Sequence, residues 1–506
     1  MHIIKSCDLK KSEIIGTGVF GKVHIIEDDP NIVYKSYYID EKGTNRIPSD
    51  FLNEISVYNS IDSENIFLKK SVIDVDRKEV GIFLHKYKSD LLSLIKTRKV
   101  FTTDTIKRIL FDVLCTMAKA QEKFILHRDI KPANILCNDD NTSLVDWGLA
   151  NFFYSGAQLD VFTTVQTFCY RSPEQILKYC LNTPTTDMWS IGVVVLEMIE
   201  RVMPIFNEKN EPKQIAKYVR FFGISKYDNV MNDIVKYSEK HKISLEYDGH
   251  LSFIKNKTLK DFLSKCLTID PEKRLCPIQA LNHELFKDFA KPKIEQNIKK
   301  RIDNLTYIKI NIVLLKKNKI YLSERINMIN KVYALCKNLK WSYHELSRIF
   351  RMMDKCMEKT VTMKECWNYL IVIIGLFFDQ SKCNAGSVEL SKIEKVLGIE
   401  YLDLSLTNEI VVNVLKSISY NLFFRTFCMY EFLTDIYYGI LDKTTQTKYQ
   451  NMICDIIKNI YTVTYDDDVI YGTILSEIND KQLNKIYEEY KLNKSIDLVD
   501  IIKAKN

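Results

Sequence analysis

The sequence lacks any apolar segment long enough to cross a bilayer. Its longest uninterrupted apolar run is YLIVIIGLFF at residues 369–378, whereas a membrane-spanning helix needs roughly 20 such residues. We therefore expect a buried core helix at this position and no membrane span. The N-terminal stretch MHIIKSCDLKKSE also lacks the apolar core of a secretory signal, because its charges come too early.

Disulfide and zinc-site patterns are missing as well. The 13 cysteines contain no CxxC pair, and none of them clusters with histidines at zinc-binding spacing. Scattered cysteines of this kind are typical of reduced, mostly buried thiols. The expected location is therefore the cytoplasm or the nucleus.

A basic segment is present, but no motif that reads a nucleic-acid groove accompanies it. The formal net charge is +7, and residues 287–319 contain ten Lys or Arg against three Asp or Glu, which equals the whole excess. We interpret this segment as a solvated basic linker over residues 291–320 and expect no nucleic-acid partner. A length of 506 residues predicts two or three domains.

A glycine-rich stretch, IGTGVFGKV, occupies residues 15–23. Glycines spaced as G-x-G-x-x-G let a hairpin backbone approach phosphate oxygens without a Cβ clash, although dinucleotide-binding folds carry the same pattern. Lys35 ends the β-rich run NIVYK, either as a partner of the α- and β-phosphates or as a solvated lysine at a sheet edge. The candidate nucleotide-binding residues of the loop are Ile15, Gly16, Thr17, Gly18, Val19, Phe20, Gly21, Lys22 and Val23.

Two later motifs, HRDIKPAN at 127–134 and LVDWG at 144–148, favour phosphate chemistry. Phosphoryl transfer needs a carboxylate that orients the attacking hydroxyl and accepts its proton, and Asp129 fits that role. Asn134 and Asp146 offer the hard oxygen ligands that Mg²⁺ prefers. Lys131 can neutralise the phosphate that is transferred.

Residues 1–290 resemble a eukaryotic protein kinase, because these motifs appear in the usual order together with YRSPE, TTDMWSIG and DPEKRL. The resemblance implies an α+β bilobal protein kinase fold, with a β-rich N-lobe at residues 1–87 and a helical C-lobe at residues 88–290. It also implies ATP and Mg²⁺ as cofactors. Protein Ser and Thr hydroxyls are the implied substrates, since Lys131 typifies Ser/Thr specificity.

The same resemblance assigns roles to individual residues. Glu54 is expected to pair with Lys35, and Thr167 is expected to hydrogen-bond the catalytic Asp129. Leu84 is expected at the back of the nucleotide pocket, and the adenine-binding hinge is expected at His85, Lys86 and Tyr87. Asp187 and Trp189 are expected to brace the catalytic loop. Glu174 and Arg274 are expected to form an ion pair.

The helix around Glu54 makes the resemblance more specific, because it points to one group of protein kinases. PSDFLNEIS at residues 48–56 resembles the PSTAIRE helix of cyclin-dependent kinases, which a partner protein swings inward. Arg171 and the segment 203–223 resemble the same group, and Arg171 suggests proline-directed Ser/Thr substrates. Gln166 departs from the usual small residue, and the tryptophan of DWG instead resembles casein kinase two.

Activation-loop regulation departs from the cyclin-dependent kinase pattern. The activating threonine of that group aligns with Phe162, and two of the three arginines that receive its phosphate align with Asn53 and Asn151, while Arg128 remains. An asparagine cannot form bidentate, charge-assisted bonds to a phosphate. We therefore predict activity without activation-loop phosphorylation.

Beyond the linker, apolar residues recur at the spacing of one helix face, first at Met328, Val332, Leu335 and Leu339. Residues 321–430 resemble a cyclin box, with Asp354 where cyclins often carry the Asp of an IDRFL-like segment. The Lys through which a cyclin contacts its kinase aligns instead with Phe377, and the partner Glu falls near Val411, with Glu409 close by. The sequence thus predicts an all-α, cyclin-box-like domain, followed at 431–506 by a degenerate second repeat or a tail.

Three whole-protein hypotheses follow. The leading one is a Ser/Thr kinase held active by its own fused cyclin-like domain. The second keeps the kinase but makes the helical half an unrelated docking or localisation module. The third is a pseudokinase scaffold, against which the intact catalytic positions argue.

Overall fold

The structure is a computed structural model of the chain, and the statements below concern the residues that it describes. These are residues 2–4, 9–18, 21–38, 47–61, 66–74, 79–97, 100–152, 166–177, 183–223, 231–242, 250–339, 343–359, 361–381, 390–400, 402, 407–419, 424–425, 448, 452–453, 456–458 and 467–478. Among them, no helix is both long and apolar enough to span a membrane.

A six-stranded sheet forms the N-terminal lobe, in the order β1-β5-β6-β4-β3-β2, with β1 and β5 parallel and the other pairs antiparallel. Lys35 lies on an interior strand, opposite Val23 on one side and Ile82 on the other. It is therefore not a lysine at a sheet edge. The strands are β1 (His2–Ile4), β2 (Lys11–Thr17), β3 (Gly21–Ile26), β4 (Asp29–Tyr37), β5 (Phe67–Asp74) and β6 (Glu79–His85), and the lobe also contains helix α1 (Ser49–Ser60).

Helices dominate the second lobe, and two small antiparallel sheets, β10-β9-β7 and β11-β8, flank residues 127–134. This arrangement agrees with the bilobal fold that the resemblance implied. The strands are β7 (Ser89–Asp90), β8 (Ile125–Leu126), β9 (Ile135–Cys137), β10 (Thr142–Leu144) and β11 (Asn151–Phe152). The helices are α2 (Leu91–Lys96), α3 (Thr103–Glu122), α4 (Pro173–Ile176), α5 (Pro184–Glu200), α6 (Glu211–Phe222), α7 (Met231–His241), α8 (Lys257–Cys266) and α9 (Pro277–Leu281).

The segment interpreted as a solvated linker packs in part against the second lobe. Arg301 donates from Nε to the carbonyl of Glu122 at 3.1 Å, and its guanidinium lies 4.3 Å from the centre of the Phe124 ring. Ile302 and Leu305 are buried beside it. These contacts arise because carbonyls at the end of α3 lack helical partners and accept from a cation. The segment contains α10 (Ile298–Asp303), β12 (Thr306–Tyr307) and α11 (Ile312–Leu315).

The C-terminal part, called here the helical region, is built from amphipathic helices, and Met328, Val332 and Leu335 of the predicted apolar stripe are buried. The run at residues 369–378 lies inside a helix, and its residues through Phe377 are buried. The all-α expectation needs one correction, because Phe424 and Arg425 form a short parallel strand pair with β12. The elements are α12 (Lys319–Leu339), α13 (Tyr343–Cys356), α14 (Met363–Ser381), α15 (Leu390–Leu397), α16 (Thr407–Ser417), β13 (Phe424–Arg425) and α17 (Asp467–Ile478).

A single hydrophobic core continues from the N-terminal lobe through the second lobe into the helical region. A separate small cluster lies on the other face of the sheet and contains Ile26, Tyr34, Val72 and Phe83. Two faces are thus buried at β4, since neighbouring residues of a strand point to opposite sides. Lys35 and Tyr37 share the face toward α1, and Tyr34 points away from it.

A buried carboxyl group in α5 makes the stability of the second lobe depend on pH. Glu197 accepts a hydrogen bond from the Tyr170 hydroxyl at 3.0 Å and from the backbone N–H of Ile205 at 3.1 Å. Burial raises the pKa of Glu197 to about 7, from an ordinary value of 4.5. The folded protein therefore retains a proton that the unfolded chain has already released between these two pH values.

We expect stability to fall as pH rises from 4.5 through about 7, and Glu197→Gln to remove this part of the dependence. The wild type should lose roughly 1 to 3 kcal/mol relative to the variant between these limits. Urea unfolding of both proteins at pH 5 and pH 8 measures the difference. Parallel changes in the two proteins would contradict the assignment.

Candidate active site

Helix α1 presents Glu54 to the interior and not to solvent. The helix starts after Pro48, whose fixed φ suits the residue before the first turn. Residues 51–58 are all buried, and Glu54 is 0% exposed. Its Oε2 lies 2.6 Å from Lys35 Nζ. The structure thus brings together the lysine and the glutamate that the sequence predicts as a pair.

Lys35 also contacts the aspartate of the DWG motif. Its Nζ donates to Asp146 Oδ1 at 2.7 Å, so it lies between two carboxylates. Burial alone would lower the pKa of Lys35, but Asp146 and Glu54 outweigh burial and raise that pKa above its ordinary value. For Asp146, burial raises the pKa, and the attraction of Lys35 reverses this and lowers it. Lys35 is therefore protonated and Asp146 ionised at neutral pH.

The catalytic loop gathers three predicted residues around Asp129. Thr167 donates from Oγ1 to Asp129 Oδ1 at 2.7 Å and from its backbone N–H at 3.2 Å. Lys131 donates to the other carboxylate oxygen and, at 3.2 Å, to Thr167 Oγ1. The Asn134 side-chain amide donates to the Asp129 carbonyl at 2.8 Å. The carboxylate is thereby fixed in orientation at the loop.

Hydrogen bonds from two backbone N–H groups to a buried carboxylate hold this loop in place. Asp187 accepts from the backbone N–H groups of His127 at 2.8 Å and Arg128 at 3.0 Å. Arg128 adopts a left-handed backbone with φ of 68°, which costs energy for a non-glycine residue and needs such support. Trp189 contacts Arg274 and the rings of Tyr218 and Phe222, and its role in bracing the loop stays a prediction.

The predicted Glu174–Arg274 ion pair is present and fully buried. Two parallel bonds of 2.7 and 3.0 Å join the guanidinium to the carboxylate. Arg274 also donates to the carbonyls of Thr268 and Ile269. A buried bidentate pair of this kind fixes the end of the activation segment to α8 and the turn after it.

The glycine-rich loop is described at residues 15–18 and 21–23, and Val19 and Phe20 lie outside the described residues. Gly18 N donates to the Gly21 carbonyl at 2.9 Å, which closes the β2–β3 hairpin. A Cβ at Gly21 would lie 1.7 Å from the Ser36 carbonyl oxygen, so the neighbouring strand itself requires glycine there. Gly18 has open space instead, with no heavy atom within 4 Å.

The hinge residues follow β6 directly. Leu84 is buried and pairs with Val33 and Phe67 of the adjacent strands. The backbone N–H of His85 donates to Ile66 at 2.8 Å, and that of Lys86 donates to Asn31 at 2.7 Å. Tyr87 follows in the segment that connects the two lobes. The assignment of these residues to adenine binding stays a prediction.

Comparison with known proteins decides the family. Residues 9–286 match the protein kinase domain family. The chain belongs to the protein kinase family. It is 30% identical over 305 residues to the serine/threonine-protein kinase ppk23 of Schizosaccharomyces pombe, covering 57% of this chain and 76% of that one. It is also 27% identical over 314 residues to cyclin-dependent kinase G-1 of Oryza sativa subsp. indica, covering 58% of this chain and 45% of that one.

This protein is therefore a serine/threonine protein kinase. Protein kinases use ATP and Mg²⁺, and the residues present fit both. The Asn134 amide nitrogen faces the Asp129 carbonyl, which leaves the amide oxygen for a metal ion. Asp146 offers a carboxylate whose lowered pKa keeps it ionised. Bound Mg²⁺ neutralises the charge that develops on the phosphates.

In this kinase, two tyrosines at the site escaped the sequence analysis. Tyr37 and Tyr58 both donate their hydroxyls to Glu54. The signal was available, since Tyr37 lies two residues after Lys35 on the same strand face and Tyr58 lies four residues after Glu54 on the same helix face.

Replacing Thr167 by valine keeps the volume and removes the hydroxyl bound to Asp129. We expect kcat to fall roughly 10-fold to 100-fold, because hydrogen bonds to charged groups are worth about 1.5–3 kcal/mol. Thr167→Ser retains the hydroxyl and serves as the control, with kcat near wild type. Steady-state kinetics with saturating ATP measure both. Equal loss in the two variants would show that the hydroxyl is not responsible.

Proposed function

We propose that the helical region is a built-in, cyclin-like activator that keeps α1 in its inward position. The kinase would then transfer the ATP γ-phosphate to Ser or Thr hydroxyls without an activation-loop phosphate. The observation that carries the proposal is the burial of α1 on all sides. Eight consecutive residues, 51–58, are buried, and at 3.6 residues per turn these point in every direction around the axis.

The helix lies between the active site and the helical region. One side packs on residues 147–149 of the DWG turn, and another contacts α14. The approach to the turn is close, since a Cβ at Gly148 would lie 3.0 Å from the Cβ of Asp50. Outward movement of α1 would have to break both contacts and expose apolar surface. The inward position of Glu54 is therefore favoured by packing within one chain.

Arg348 of α13 supports the same conclusion. Its guanidinium lies 5.2 Å from the centre of the Phe152 ring in the kinase domain and 4.6 Å from that of Phe377 in α14. The side chain is buried, and a desolvated cation over aromatic rings contributes up to about 2 kcal/mol. Phe377, which aligns with the kinase-contacting lysine of cyclins, thus packs with a neighbouring cation.

Independence from phosphorylation is favoured by Asn53. This residue stands where cyclin-dependent kinases have a phosphate-binding arginine, and its side chain donates to the Gly148 carbonyl at 2.8 Å. The bond ties α1 directly to the turn that begins the activation segment. A phosphate is therefore not needed to make this connection. Residues 153–165, including Phe162, Thr163 and Thr164, lie outside the described residues.

The cyclin-like interpretation of the helical region is supported by Asp354. Its carboxylate is buried and accepts two bonds from Arg325, at 2.8 and 2.9 Å, and one from the Tyr321 hydroxyl at 2.7 Å. A single carboxylate thus joins α12 to α13. Val411, where a cyclin glutamate would align, is buried, so any activation would use contacts other than that residue.

Substrate preference follows from Arg171. Its Nε donates to the Gln166 carbonyl at 2.9 Å in the loop that precedes the YRSPE motif. A carbonyl already engaged by a guanidinium is a weaker and less accessible acceptor for the backbone N–H of the substrate residue after the phosphoacceptor. Proline has no such N–H and leaves none unsatisfied. We therefore infer proline-directed Ser/Thr substrates.

Arg348→Ala tests the built-in activator in the full-length protein. We expect kcat/KM to fall about 10-fold or more, because the contact between α13 and Phe152 is lost. Lys331→Ala is the matched control, since Lys331 donates to Leu397 within the helical region and should leave kcat/KM unchanged. The protein is assayed before and after phosphatase treatment.

Unchanged activity of Arg348→Ala would favour a docking module over an activator. Loss of wild-type activity after phosphatase treatment would refute independence from phosphorylation. The two outcomes are separate, because the first concerns the variant and the second concerns the wild type.

Peptides that differ only in the residue after the phosphoacceptor test the substrate preference. The wild type should phosphorylate a Ser-Pro peptide at least about 10-fold faster than its Ser-Ala counterpart, a difference of about 1.4 kcal/mol. Arg171→Ala frees the Gln166 carbonyl and should bring the ratio close to one. A ratio near one in the wild type would overturn proline direction.

A further inference from the structure

Two buried tyrosines complete the surroundings of Glu54. We propose that Tyr37 and Tyr58 are positioning residues whose hydroxyls hold the Glu54 side chain inward, so that it orients Lys35 for phosphate transfer. Tyr37 lies on β4, two residues after Lys35, and donates to Glu54 Oε2. Tyr58 lies on α1, one turn after Glu54, and donates to Oε1 at 2.8 Å. The carboxylate therefore has three donors from two elements.

Burial explains why one lysine is insufficient for this carboxylate. A buried charge is costly unless hydrogen bonds replace the lost water. Lys35 divides its donors between Glu54 at 2.6 Å and Asp146 at 2.7 Å, and in the reaction it also serves the phosphates of ATP. The two hydroxyls compensate Glu54 whenever Lys35 turns toward those phosphates.

Packing fixes both rings independently of their hydroxyls. The Tyr37 ring meets Phe51 edge-on at 5.4 Å, and the Tyr58 ring stacks on Phe67 at 5.4 Å. Burial first, and then the charge of Glu54, raise the pKa of both tyrosines well above the ordinary value. Both hydroxyls thus keep their protons and remain donors. A phenylalanine at either position would retain the packing and lose the hydroxyl, which at Tyr58 also forms a hydrogen bond with the backbone of Asp146.

The test uses Tyr37→Phe, Tyr58→Phe and the double variant of the full chain, with Tyr34→Phe as the matched control. Tyr34 lies on the same strand, is also buried, and donates to the carboxylate of Glu79 at 2.8 Å. It points to the other face of the sheet, away from Lys35. The control therefore loses the same kind of hydrogen bond outside the active site.

We expect the double variant to lose about 10-fold or more in kcat at saturating ATP, with the KM for the peptide substrate unchanged. Tyr34→Phe should show a comparable decrease in melting temperature and a wild-type kcat. Equal kcat values in the double variant and the control would overturn the proposal and leave the tyrosines as core residues.

A mutant cycle with Glu54→Gln tests whether the tyrosine hydroxyls affect kcat through the Glu54 carboxylate. If the hydroxyls act through the Glu54 carboxylate, the double tyrosine variant should lower the residual activity of Glu54→Gln by less than twofold. A full, multiplicative loss in that background would mean that the tyrosines act elsewhere. That outcome would also overturn the proposal.

Discussion

The carboxylate of Glu54 is fully buried, and hydrogen-bond donors from the N-terminal lobe replace the water that it has lost. Three donors converge on its two oxygens, from Lys35 and Tyr37 on β4 and from Tyr58 on α1. Since each donor needs a fixed position, the strand and the helix are held at one separation. The same lysine donates to Asp146, so the requirement extends to the turn of the DWG motif.

The position of α1 is consequently determined by contacts on two of its sides. Its inner side is fixed by hydrogen bonds to Lys35 and to the Gly148 carbonyl, which are directional and fail with small displacements. Its outer side is covered by α14, where packing depends on buried area. Polar contacts define where the helix must be, and the apolar cover makes other positions unfavourable. A kinase that carries its own cover would not need a separate activating protein.

Other buried charges in this kinase follow the same rule. Each connects segments that are far apart in the chain, as Glu174 does with Arg274 and Asp354 does with Arg325. Breaking one partner of such a pair typically costs about 3–5 kcal/mol, because the remaining charge stays buried. These pairs make the catalytic loop and the helical region stiff enough to present their side chains in fixed orientations.

The sequence by itself determined the chemistry, because the motifs around Lys35, Asp129 and Asp146 specify residue types at fixed spacing along the chain. Helical periodicity likewise predicted the buried face of α12, and the apolar run at residues 369–378 predicted that α14 is a core helix. Only the tertiary structure decided what covers those faces, since periodicity carries no information about the partner. The contact of α14 with α1 and the position of Arg348 beside Phe152 join segments roughly 200 to 300 residues apart, and no local pattern encodes them. The same limit explains Gly21, whose need for glycine comes from the neighbouring strand, and the tyrosines of Glu54, which read as ordinary core residues until the strand and the helix meet.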